Sequence, residues 1–190
     1  MNPIGAGFGV VGTLIESRRA AGATREMEDT LAAARYDFRS ALASSIVAAI
    51  RKDGFLITLA TGRRPEKQRA RFLSAYPAVK RADAYLDVYA TYVGFEAPQS
   101  STVYRPRLEI LARLVSAKDH RILFQNRIVY GSAENTDEAA VMVRADENAS
   151  FRDRAALQAN PTRTARALQS AIEPSPGSSP SSLFDSLARQ

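Results

Sequence analysis

Between residues 25 and 52 the apolar side chains Met27, Leu31, Phe38, Leu42, Ile46 and Ile50 recur mostly at threes and fours, with Ala34, Ala43 and Ala49 filling between them. That spacing stacks one face of a helix and predicts a single long amphipathic helix. The tetrad "KDGF" closes it: Gly54 suits the left-handed position after a helix and Lys52 the negative end of its dipole. Residues 55–60, "FLITLA", then read as a short strand of aromatic, aliphatic and β-branched type. Pro65 suits the first turn of a second helix running to about Tyr76, with Ala70, Phe72, Leu73 and Tyr76 as its apolar positions and Pro77 as its stop.

From Ala84 the period changes from 3.6 to 2. Ala84, Leu86, Val88, Ala90 and Tyr92 alternate with Tyr85, Asp87, Tyr89, Thr91 and Val93, which predicts a strand with one apolar face. A polar connection, "EAPQSSTVYRP", leads to two further alternating runs. In the first, Leu108, Ile110, Ala112 and Leu114 oppose Glu109, Leu111, Arg113 and Val115. In the second, Ile122, Phe124, Ile128 and Tyr130 oppose Leu123, Gln125, Arg127 and Val129.

Even-numbered residues of both runs share a face only if paired numbers sum to an even value, which predicts an odd-length loop. The simplest solution pairs Ala117 with Arg121 and leaves Lys118, Asp119 and His120 as the turn, with His120 left-handed. Leu114 would then face Phe124, and Ile110 would face Ile128.

Past Gly131, Asn135 or Thr136 offers a helix cap, with Glu138 three residues after Asn135 in the manner of a capping box, before an irregular or short helical stretch. "NPTRTARALQSAIE" predicts a firmer helix: Asn160 as cap, Pro161 in the first turn, and Ala165, Leu168, Ala171 and Ile172 on one side. The expected fold is α+β: an antiparallel sheet of about four strands packed on a long N-terminal helix and further helices. Residues 25–173 form the domain, flanked by an apolar, glycine-rich leader at 1–24 and a Pro/Ser-rich tail at 174–190. The tail ends in "LFDSLARQ", whose Leu183, Phe184 and Leu187 are candidate partner-docking residues on a flexible tether.

Composition narrows the function classes. At 190 residues and 45% hydrophobic the chain can build one ordinary core. A net charge of +6 raises nucleic acid as a partner. The basic residues are almost all arginines, the lysines being Lys52, Lys67, Lys80 and Lys118, and they spread over nearly every segment where a phosphate-binding face would cluster them. The densest group, Arg63, Arg64, Lys67, Arg69 and Arg71, reads as a solvated helical face. Gly7, Gly9 and Gly12 spell GxGxxG, but too few residues precede them for the strand that a dinucleotide loop requires.

Chemistry is sparse. There is no cysteine, which removes thiol nucleophiles, cysteine-based zinc sites and disulfides, and His120 is the only histidine. A base needs an orienting partner and a metal needs several ligands, so His120 reads as a turn residue, and no cofactor, metal or catalytic set is expected. Glu26, Glu28 and Asp29 complement a helix dipole, as Asp137 and Glu138 would behind Asn135. Tyr85, Tyr89 and Tyr92 could stack bases, but no RNA-binding motif surrounds them and sheet packing accounts for them.

The stretches "ADAYLDVYATYVGF", "YRPRLEILARLVSAKDHRILFQNRIVYG" and "ENASFRDRAALQANPTRTARALQSAI" resemble a group of exported bacterial lipoproteins. These are similar to the TolB N-terminal domain and to curli-secretion and penicillin-binding-protein-activator lipoproteins, and the resemblance covers the domain from residue 25 to 173. It implies a small α/β domain in which glycine often stands at the hairpin hinge, where this chain has His120. It also implies a non-enzymatic interaction or assembly role in the cell envelope, periplasmic and outer-membrane associated, with an envelope protein or a second copy as partner. The resemblance also implies a membrane tether through a missing N-terminal lipid anchor, with removal of the export leader as the expected reason that no signal peptide is read here. The alternative is a cytoplasmic nucleic-acid-binding α/β protein using its arginines.

Overall fold

The computed structural model describes residues 27–52, 55–59, 72–97, 101–131, 140–146 and 148–172. The leader, the tail with Leu183, Phe184 and Leu187, the arginine cluster at 63–71, Gly54, and the capping candidates Asn135, Thr136 and Glu138 lie outside them.

The expected long helix is two. Helix α1 (27–33) stops and α2 (Phe38–Lys52) begins after a break. Arg35 has φ 52°, the Tyr36 N–H bonds the Leu31 carbonyl at 2.9 Å, and the Arg35 N–H bonds Ala32 at 2.9 Å. This is a Schellman closure with arginine in the position glycine usually holds, and Leu31 and Tyr36 both pack against the core. Asp37 then caps α2: its carboxylate accepts the Arg39 N–H at 3.0 Å, the Ser40 N–H at 3.3 Å and the Ser40 hydroxyl at 2.7 Å. The Ser40 hydroxyl, with the two N–H groups, holds the Asp37 carboxyl below its ordinary value. Such a cap contributes about 1 kcal/mol. Past Lys52 the Phe55 N–H still reaches the Ile50 carbonyl at 3.4 Å. Residues 55–59 form no strand, in contrast to the expectation, because nothing among the described residues pairs with them. Residues 72–76 are bent and non-helical.

Four strands follow, β1 (Ala84–Glu96), β2 (Arg105–Ser116), β3 (Ile122–Gly131) and β4 (Val141–Arg144), in sheet order β1-β2-β3-β4. The first two pairings are antiparallel, but β4 runs parallel to β3, so the sheet is mixed where an antiparallel one was expected. β4 pairs only with Ile128 to Gly131. β1 carries a bulge. Ala90 pairs with Ile110 but Tyr92 with Glu109, leaving Thr91 extra. The inward set therefore changes from Leu86, Val88 and Ala90 to Val93 and Phe95, and Tyr92, expected on the apolar face, stands on the opposite one.

At the β2–β3 hairpin the expected pairs Leu114–Phe124 and Ile110–Ile128 are present, and His120 has φ 56°. The loop itself differs. Ser116 N–H bonds the Arg121 carbonyl at 2.9 Å and His120 N–H bonds Ser116 at 3.0 Å, so Ala117 to His120 form a four-residue loop. An even loop breaks the parity, and a slip between Leu114 and Val115 restores it: Val115 pairs with Ile122, leaving Leu123 extra. His120 is thus left-handed as expected, and the extra residue stands in the strand, at Leu123, where an odd-length turn was expected. Replacing His120 with valine, which resists positive φ, is expected to destabilise the domain by about 1–2 kcal/mol, whereas glycine is tolerated within about 1 kcal/mol. Urea titrations of the two variants check this, and equal losses would contradict it.

Two short elements went unexpected, β4 and helix α3 (Arg154–Ala159), capped by Asp153 through the Ala156 N–H at 2.7 Å. Asn160 and Pro161 open α4 (Pro161–Ile172) as expected, the Asn160 amide oxygen accepting the Arg163 N–H at 3.0 Å. The buried Thr164 hydroxyl donates to the Leu157 carbonyl at 2.8 Å and ties α4 to the end of α3. Phe38, Leu42 and Ile46 of α2, Leu157 of α3, and Ala167, Leu168, Ala171 and Ile172 of α4 share one core with Val88, Leu108, Ile110, Ala112, Ile128 and Val143 of the sheet. The helices thus cover one sheet face, and the other carries the strands' alternate residues.

Candidate functional site

The face turned from the helices holds Tyr85, Asp87, Tyr89, Tyr92, Arg107, Glu109, Leu111, Arg113, Gln125 and Arg127 by register. Its two ends are built differently.

At the hairpin end, residues 72–76 lie across the sheet. Asp87, a buried carboxylate on β1, accepts the Leu73 N–H at 2.7 Å and the Tyr76 hydroxyl at 3.4 Å. Tyr76 stacks on Tyr85 with ring centroids 5.1 Å apart, and the Arg113 guanidinium sits 3.8 Å from the Phe72 ring centre. Burial, then the Asp87 charge, pushes the Tyr76 phenol up. His120 lies beside this pair, 6.5 Å from each tyrosine ring centre. Its neighbours are aromatic, not a converging set of acids. Covered by Tyr76, Tyr85 is poorly placed to stack a base, and Tyr89 is buried.

At the far end the strands hold a chain of four charges. Arg107 donates to Glu109 through Nε at 3.2 Å and Nη2 at 2.6 Å, and through Nη1 to Glu96; Arg127 donates to the other oxygen of Glu109 at 2.7 Å. Burial alone would push the Glu109 carboxyl up, but Arg107 and Arg127 outweigh it and hold it below the ordinary carboxylate value. The glycines explain the lie of Arg107. Gly94 is its register partner on β1, and a Cβ on Gly131 of β3 would stand 3.5 Å from the Arg107 Cγ. With no side chain on either flank, the arginine can lie along the sheet between its two carboxylates. Tyr92 roofs Gly94, where a Cβ would come within 3.1 Å of the phenol oxygen, and the hydroxyl donates to the Phe95 carbonyl at 3.3 Å.

The bulge at Thr91 is what brings Tyr92 to this face. Alternation places Glu109 and Arg127 on the polar face, but the bridge between them depends on the β2–β3 register. Arg107 and Glu96 had no signal beyond their charge. Among the described residues no cluster of three or more histidine, aspartate or glutamate side chains could hold a metal ion, and no helix is long and apolar enough to cross a membrane. The chain matches no family model, no curated protein and no solved structure.

Proposed function

We propose that this chain is a non-enzymatic interaction or assembly domain of the bacterial cell envelope, exported and tethered at the outer membrane, which docks a protein partner on the sheet face turned from its helices. One observation carries the docking reading: the Glu96–Arg107–Glu109–Arg127 network fixes alternating charges on three adjacent strands. Charges held on strands are preorganised, so little side-chain freedom is lost when a complementary surface arrives, and alternating signs select a register more than they attract any one polyion. The compartment rests on the resemblance alone. The nucleic-acid alternative draws less support, since Arg107 and Arg127 are engaged by carboxylates and their charge is locally cancelled.

The test is a photo-crosslinking residue placed at Glu96, and separately at Arg166 on the exposed side of α4, in cells of the native host. Covalent capture of an envelope protein from position 96 but not 166, in the membrane fraction, is the expected result. Equal yields at both positions, capture of nucleic acid, or a product confined to the cytosol would overturn the reading.

A further inference from the structure

The large apolar side chains left exposed among the described residues are Phe55, Leu56, Leu59, Ile122 and Leu123. They fall in two segments, and the two are complementary. Residues 55–59, "FLITL", have strand-forming composition yet pair with nothing described, Leu56 being 102% exposed and Phe55 65%. Residues 122–127 are the mirror case, a strand with a free side. β2 runs along one flank of β3, but on the other flank β4 reaches only Ile128 to Gly131. Along 122–127 that outer edge carries no strand among the described residues. The Arg127 N–H is met by the Asn126 side chain at 2.7 Å, which caps the inner end of the gap. Ile122 and Leu123 stand at its other end, 50% and 48% exposed.

An edge that pairs with no strand among the described residues and carries apolar side chains is a template for strand addition, and an apolar segment of matching length that pairs with nothing described is the strand to add. We propose that residues 55–59 of one copy pair along the outer edge of residues 122–127 of a second copy, and reciprocally, to give a two-fold dimer. Area favours a second copy as the occupant. With about 200 Å² for the surface of a large apolar residue, the exposed fractions of the five amount to roughly 600 Å² per copy. A reciprocal pair would bury up to about 1,200 Å², where stable, specific interfaces begin. A two-fold exchange needs only surfaces that every copy carries. It accounts for the strand that composition predicts at 55–60 and that residues 55–59 do not form among the described residues. Arg127 borders both this edge and the docking face proposed above, but the pairing uses the outer backbone edge of β3 and a segment beyond α2, whereas Glu96 stands on β1 at the other side of the sheet.

The full chain should sediment as a monomer–dimer equilibrium that shifts to dimer as concentration rises. Leu56→Asp and Leu123→Lys should each weaken dimerisation at least tenfold while the circular dichroism of the monomer stays unchanged. As the chain has no cysteine, Leu56→Cys and Leu123→Cys copies carrying different tags can be mixed and oxidised. A disulfide joining the two tags is expected. A chain that stays monomeric at every concentration, dimerisation indifferent to both substitutions, or a Leu56→Cys/Leu123→Cys chain that closes its disulfide within one copy would overturn the proposal. Each of these outcomes leaves crosslinking from position 96 unaffected, so the two readings fail separately.

Discussion

Replacing Phe151 with alanine is expected to remove about 3–5 kcal/mol of folding stability, enough to lower the melting temperature of a chain this long by roughly 10 °C. Phe151 is 2% exposed and sits where α3, α4 and the start of β2 meet. Its ring stands edge-on to Phe95, with centroids 5.3 Å apart, and the Arg163 guanidinium lies 4.7 Å from the ring centre on the solvent side. Its backbone is fixed as well: Tyr104 and Phe151 exchange hydrogen bonds of 2.7 and 2.8 Å. The main chain therefore cannot easily shift to fill the space, and a site that cannot collapse has the larger cavity cost. Arg163→Ala is the control, since it removes only the cation over the ring and a bond to the Ser150 carbonyl, and should cost about 1 kcal/mol or less. Urea unfolding followed by circular dichroism measures both. A loss below about 1 kcal/mol for Phe151→Ala would mean that this corner is not a packed part of the core.

Glu109→Gln is expected to cost about 2–3 kcal/mol at pH 7, and the penalty should fade in acid. The Glu109 side chain is 15% exposed, and neutralising it leaves Arg107 and Arg127 facing each other without the charge between them. The sign follows from linkage. The folded-state carboxyl titrates below its unfolded value, so its contribution is complete above the unfolded value, near pH 4.3, and is lost as pH falls through the folded one. The wild-type and Glu109→Gln stabilities should therefore differ most at neutral pH and converge as pH falls through the folded-state value. Asp37 is likewise held below its ordinary value, so both proteins should still weaken in acid. Parallel stability curves across that range would show that the Glu109 charge does not stabilise the fold.

The parts of the fold that were legible in the sequence are those with an unbroken local pattern. The alternation from Leu108 to Leu114 has no interruption, and both faces of β2 lie as it indicates. Asn160 before Pro161 is a strong start signal, because the ring bars the preceding residue from helical geometry and the amide caps the next turn. What escaped depends on geometry that residue type does not record. Tyr92 and Val93 are both acceptable on an apolar face, so "ATYVGF" reads smoothly through a bulge that moves every later side chain to the opposite side. Arginine at position 35 hides a helix end that glycine would have announced. β4 and α3, at 4 and 6 residues, are too short for either period to emerge. In the candidate site, alternation supplied the polarity of Glu109 and Arg127. Tertiary register supplied their bridge, and two glycines the path of Arg107.

The meeting of α2 with α4 over β2 has a consequence for synthesis. Strands β1, β2 and β3 neighbour one another in chain order, so each can pair with its predecessor as it leaves the ribosome. Leu42 and Ile46, made long before, have no completed core to enter until Leu168 and Ile172 arrive at the far end of the chain. The apolar side of α2 thus stays uncovered by α4 while the intervening residues are made, and at about 5–20 residues per second that is an interval of seconds to tens of seconds. Until Leu168 and Ile172 are made, the nascent chain carries the apolar side of α2 without the helix that packs against it.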